Sequence, residues 1–110
     1  MFYSLSRFRS YQLSLTFHRR CRDYAFPGYL KNQLLRASSS VSLNLAEGCS
    51  KPGKDRLRFY HIAMGSLRES QAALELAPRD YPELKKLADE LGASLFRLCN
   101  PKWERLGQQP

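Results

Sequence analysis

Residues 30–48 read LKNQLLRASSSVSLNLAEG. Set on a helix, Leu30, Leu34, Ala37, Val41 and Leu45 fall on one stripe at three- and four-residue spacing. Leu35, Leu43 and Ala46 make a second. The charges inside the segment are Lys31, Arg36 and Glu47, and the serines Ser38, Ser39, Ser40 and Ser42 are small enough to let another backbone come close. A helix apolar on most of its faces needs cover from other helices or from a second copy of the chain. The segment therefore predicts the central helix of a helical bundle.

Three further helices follow from the same periodicity. Working outward, the first is expected over about 4–24, with Leu5, Phe8, Tyr11, Leu15 and His18 on its main face and Leu13, Phe17 and Tyr24 on a flank. Phe26-Pro27-Gly28 ends it, because proline disfavours helix at the residue before it and glycine permits the reversal. The central helix is expected over about 30–47, with Gly48 as a left-handed C-terminal cap. The third, over about 55–77, carries Leu57, Tyr60, Met64, Leu67, Gln71 and Leu74 on one stripe and Phe59, Ile62, Ala73 and Leu76 on another. Gly65 in its middle predicts close packing there. The fourth, over about 81–100, repeats leucine at 84, 87, 91, 95 and 98, and Asp80 with Glu83 reads as a capping box. Residues 101–110 read as a short polar tail, apart from Trp103 and Leu106.

Short connections between four helices favour an all-α, antiparallel up-down-up-down bundle occupying residues 1–100 as one domain. The surplus apolar stripes predict self-association. No run reaches the length needed to span a bilayer, and the N-terminus lacks the pattern of a signal peptide, so a cytoplasmic protein with no membrane role is expected. Three cysteines without a C-x-x-C pair read as reduced thiols.

Charge carries the functional information. The chain bears a net +8, and all of it lies before Tyr60, where Arg and Lys outnumber Asp and Glu by 11 to 3; beyond that point they balance at 7 each. An asymmetric basic surface points to a polyanion such as RNA or DNA, and equally describes a solubilising face. The residues expected to meet nucleic acid are Arg9, Arg19 and Arg20 on the first helix and Lys51, Lys54, Arg56 and Arg58 around the second connection. A recognition-helix or RNP-type signature is missing, so binding of low sequence specificity is expected.

Enzymatic chemistry finds little footing. The Glu-x-x-His pairs of a di-iron bundle and a phosphate-binding glycine loop do not occur in the sequence. A metal held by His18, Cys21 and Cys49, or a nucleophile made of Cys21 or Cys99 with His61, loses to plain core packing of these residues. No catalytic residue, metal or cofactor is expected. Asn44 and Glu47, one turn apart, read as structural groups that tie the end of the central helix to the third, rather than as a polar active site.

The pattern Phe26-Pro27, Leu30, Gln33, Arg36-Ala37, Ser40-Val41, Asn44 and Ala46-Glu47-Gly48, followed by Phe59, Ile62-Ala63, Gly65-Ser66-Leu67 and Glu69, resembles the bacterial 23S rRNA-intervening sequence proteins over roughly Phe8 to Cys99. The resemblance implies an antiparallel four-helix bundle assembling as a homopentameric ring, with no established enzymatic activity. It gives Gln33, Arg36, Asn44, Glu47 and Gly48 the standing of a structural polar motif. A more distant group, the accessory proteins of diversity-generating retroelements, are basic pentamers that bind nucleic acid and a reverse transcriptase; their role reaches this chain by analogy alone. The alternative to a nucleic-acid binder is accordingly a protein-interaction scaffold, such as an accessory subunit of a nucleic-acid enzyme.

Overall fold

The computed structural model describes residues 4–102. Among them are a 3-10 turn at Leu5–Arg7 and the helices α1 (Arg9–Asp23), α2 (Gly28–Cys49), α3 (Gly53–Leu76) and α4 (Pro82–Cys99), with no strand. Each helix packs on its neighbours in sequence, and α1 closes the square against α4. The pairing is antiparallel throughout. Ser14 meets Ser42 and His18 meets Ser38 across α1 and α2, while Ser10 meets Ser94 and Arg20 meets Glu83 across α1 and α4.

The central stripe of α2 is the spine of the core. Leu34, Val41 and Leu45 are fully buried, with Phe17, Leu67, Leu74, Leu84, Leu91 and Leu95 packed around them. Each such side chain contributes about 1.5–3 kcal/mol on leaving water. The second stripe is different. Leu43 is 68% exposed and Leu35 and Ala46 are half-buried, so within one chain the enclosure of α2 is one-sided.

Several local expectations need correction. The first helix begins at Arg9, not near Ser4, because the chain leaves the 3-10 turn through an extended Phe8. Its buried face is Ser10, Ser14, Phe17 and Cys21, whereas Tyr11, Leu15 and His18 are half-buried. Small hydroxyls lie between the helices and pair across them: Ser14 with Ser42 at 2.8 Å, Ser40 with Ser66 at 2.8 Å, and Ser10 with Ser94. Each buried hydroxyl thereby finds the partner it needs.

Gly48 is no left-handed cap. Helix α2 continues through it to Cys49, and among the described residues the glycine with positive φ is Gly53, at +46°, opening α3. Gly48 is instead a point of close approach, since a Cβ there would lie 2.8 Å from the Cβ of Phe59 and 3.0 Å from the Tyr60 ring. Gly65 shows the reverse. Nothing lies within 4 Å of a Cβ built there, so packing inside the chain does not account for it.

The capping box at α4 does not form either. Asp80 accepts from the Tyr81 amide at 3.0 Å and pairs with Lys85 at 2.8 Å, while Glu83 turns away to Arg20. At that end of the bundle Tyr81 stacks on Phe26 at 4.3 Å, meets Tyr24 edge-on at 5.7 Å, and donates its hydroxyl to the Ala25 carbonyl at 2.6 Å. Lys31 donates to the Arg22 and Tyr24 carbonyls, which closes the C-terminus of α1. The three cysteines are unpaired and buried, and burial pushes the Cys21 thiol up to about 12. None of the described helices is long and apolar enough to cross a membrane. Trp103 and Leu106 lie outside the described residues.

Candidate nucleic-acid interface

Antiparallel packing sorts the basic residues by end. The N-terminus of α1, the α2–α3 connection and the C-terminus of α4 share one end, as the Phe8 and Tyr60 rings show at 6.0 Å between centroids. Arg9, Lys51, Lys54, Arg56 and Arg58 all lie there. Arg19 and Arg20 do not: they sit on the last turns of α1, a helix of 15 residues that spans about 22 Å at 1.5 Å per residue.

The cationic end is built on the first turns of α3. Lys51 pairs with Glu47 at 3.1 Å, and its carbonyl accepts from Arg56 Nε at 2.8 Å, which ties the connection to the helix that follows. Arg58 lies over the Phe59 ring at 4.8 Å. Asp55, in the first turn of α3, complements the positive end of the helix. Lys54, Arg56 and Arg58 are exposed, so their charges face solvent, where a phosphate backbone would be met.

A cleft of about 620 Å³ opens at this same end, between the first turns of α3 and the last turn of α4. Lys54, Arg56 and Arg97 line it beside the apolar Phe8, Leu57, Tyr60 and Leu98. Arg97 was missed by the sequence reading because it belongs to the charge-balanced half of the chain. The signal was available in the topology: in an up-down-up-down bundle the end of α4 returns to the start of α3.

At the opposite end Arg20 is already occupied. Its guanidinium donates to both Glu83 oxygens, at 2.8 and 3.0 Å, and to Asp23 at 3.2 Å. The hydrogen bond and charge of Glu83 raise Arg20 above its ordinary value, and Arg20 holds the Glu83 carboxyl low, helped by the Tyr24 hydroxyl. Arg19 is exposed beside His18 and helps Arg22 and burial to hold that imidazole below its usual range. His18 Nδ1 meets the Ser38 hydroxyl at 2.7 Å.

The polar motif of α2 is dispersed. Gln33 donates to Glu69 of α3 at 3.2 Å. Asn44 donates to the Ser40 carbonyl at 2.9 Å and to its hydroxyl at 3.1 Å, and that hydroxyl in turn pairs with Ser66. Glu47 pairs with Lys51 rather than with Arg36, which lines a shallow polar hollow with Gln33, Ser40, Ser66 and Glu69. Among the described residues no group of three or more His, Cys, Asp or Glu side chains is placed to hold a metal.

A family model, 23S rRNA-intervening sequence protein, matches residues 8–97, from the residue preceding α1 into the last turn of α4. No curated protein and no solved structure matches the chain.

Proposed function

Because the chain belongs to the 23S rRNA-intervening sequence protein family, we propose that it is a non-enzymatic, basic helical-bundle protein that assembles with itself and binds RNA or DNA with little sequence specificity. The observation that carries this reading is the gathering of Arg9, Lys51, Lys54, Arg56 and Arg58 at one end of the bundle. Cations so placed replace the counterions condensed on a phosphate backbone, and each contact steepens the salt dependence of binding by about 0.9 in log–log slope on B-DNA. Binding to a structured RNA and to a DNA duplex, titrated with salt, tests it. Affinity falling with salt, with a slope reduced by Lys54→Glu and Arg56→Glu and unchanged by Arg20→Gln, is the expected result. No binding at low salt ends the reading.

Assembly is part of the same proposal. Tyr29, Leu43, Ile62 and Leu76 are exposed on α2 and α3, at 75, 68, 42 and 71%. We take this assembly to be the ring of five that the resemblance implies, which would carry five times the +8 of one chain. The same apolar residues favour the second reading, a scaffold for a protein partner such as a nucleic-acid enzyme. A partner retained after nuclease treatment and lost in Leu43→Arg would support it.

A further inference from the structure

We infer that the cleft between the start of α3 and the end of α4 takes a single unpaired nucleotide, its phosphate among Lys54, Arg56 and Arg97 and its base against Leu57 and Leu98. The volume of about 620 Å³ falls in the range of about 300–1,000 Å³ usual for small-ligand sites. Its wall is of two kinds. Among the described residues three cations and no carboxylate line it, which favours an anion, and the half-buried Leu57 and Leu98 give it an apolar side, which favours a ligand with an apolar face. Arg56 spends Nε on the Lys51 carbonyl, which fixes the guanidinium and leaves its terminal nitrogens for a phosphate.

A paired nucleotide cannot satisfy both halves of this wall. In a duplex the base faces are stacked and only the phosphates are offered, whereas an unpaired nucleotide brings phosphate and base face together. The cleft therefore makes the basic end selective for single-stranded ends, loops or free nucleotides. This rests on the polyanion reading of the same end for its strand-borne form, and goes beyond it by naming the unit that is bound.

Three probes separate the sources: a blunt DNA duplex, the same duplex with a single-stranded overhang, and adenosine monophosphate. The wild-type protein is expected to bind the overhang duplex about tenfold more tightly than the blunt one. Leu57→Ser should bring that ratio close to one and leave blunt-duplex binding within about threefold, and Arg97→Gln, which removes one of the three cations around the phosphate, should weaken overhang binding by a larger factor than blunt-duplex binding and so lower the ratio too, with circular dichroism confirming the fold. Equal binding of both duplexes overturns the cleft while leaving the polyanion reading intact, and so does an overhang preference that survives both variants. If neither duplex binds at low salt, the polyanion reading falls. The cleft then stands only if adenosine monophosphate binds and Arg97→Gln abolishes it, and falls if the mononucleotide fails to bind.

Discussion

Gly48 and Gly65 both lie within continuous helices, and their environments are opposite. Alanine at Gly48 would drive a Cβ into the backbone-borne Cβ of Phe59, 2.8 Å away, so α2 and α3 must part there. Gly48→Ala is expected to cost about 1–3 kcal/mol, read from the urea midpoint. Gly65→Ala meets open space and should stabilise by up to roughly 1 kcal/mol in monomeric protein at fixed concentration. His18 adds a pH dependence. Its folded-state value lies below the ordinary 6.5 through burial and the charges of Arg22 and Arg19, so the unfolded chain takes up the proton first. Stability is therefore complete above about pH 6.5 and is lost as pH falls from there through the folded value. Urea midpoints measured across that window should fall in the wild type and stay flat in His18→Gln, which keeps a partner for Ser38. These residue-level environments were hidden in the sequence. A glycine in a periodic segment signals that a Cβ is unwelcome or unneeded, and which of the two holds is decided by a neighbour distant in the chain.

At the level of the element, the helices themselves were legible and their faces less so. The stripe of α2 and the leucine repeat of α4 are continuous, so their buried sides largely follow from spacing: Leu34, Val41, Leu45, Leu84, Leu91 and Leu95 are fully buried, while Leu87 and Leu98 of the same repeat are half-buried. On α1 the same logic chose the larger residues Tyr11, Leu15 and His18. The buried line holds Ser10 and Ser14 instead, whose hydroxyls are matched across the helix contacts by Ser94 and Ser42. Periodicity weighs a serine as polar, while geometry weighs it as small. The start of α4 failed for a related reason. Glu83 stands where a capping box would use it, yet Arg20 and Tyr24 of the neighbouring helix claim it. The end contact is held more firmly by Tyr81, which is 2% exposed. Tyr81→Phe removes the bond to the Ala25 carbonyl, keeps the ring stack, and should cost about 1–2 kcal/mol in denaturant unfolding. Loss of the exposed Arg20–Glu83 pair should cost less, because water screens it.

For the whole molecule, exposed apolar side chains on α2 and α3 lie outside the set of cations proposed to bind nucleic acid, which makes assembly testable apart from folding. The basic residues of the proposed interface crowd one end, whereas Leu43, Ile62 and Leu76 lie on exposed faces of α2 and α3 with Gly65 on the same side of α3 as Ile62 and Leu76. The sequence displayed this surplus as second stripes on α2 and α3, whereas charge totals alone do not show which cations share an end; that follows only when the expected up-down-up-down order is used to give each helix its direction. Exposed apolar side chains contribute nothing to the single chain's core, so charging them spares the fold while making a protein contact costly, with an unpaired charge to be buried. Leu43→Arg and Leu76→Glu are therefore expected to retain helicity and cooperative unfolding, and to reduce the particle mass in solution to the 12.7 kDa of one chain from the fivefold mass of the proposed ring. Nucleic-acid affinity should fall with the mass, because linked copies bind as one multivalent surface and single chains do not. A wild-type protein that already sediments as one chain in dilute buffer would remove the ring and leave the basic end to act alone.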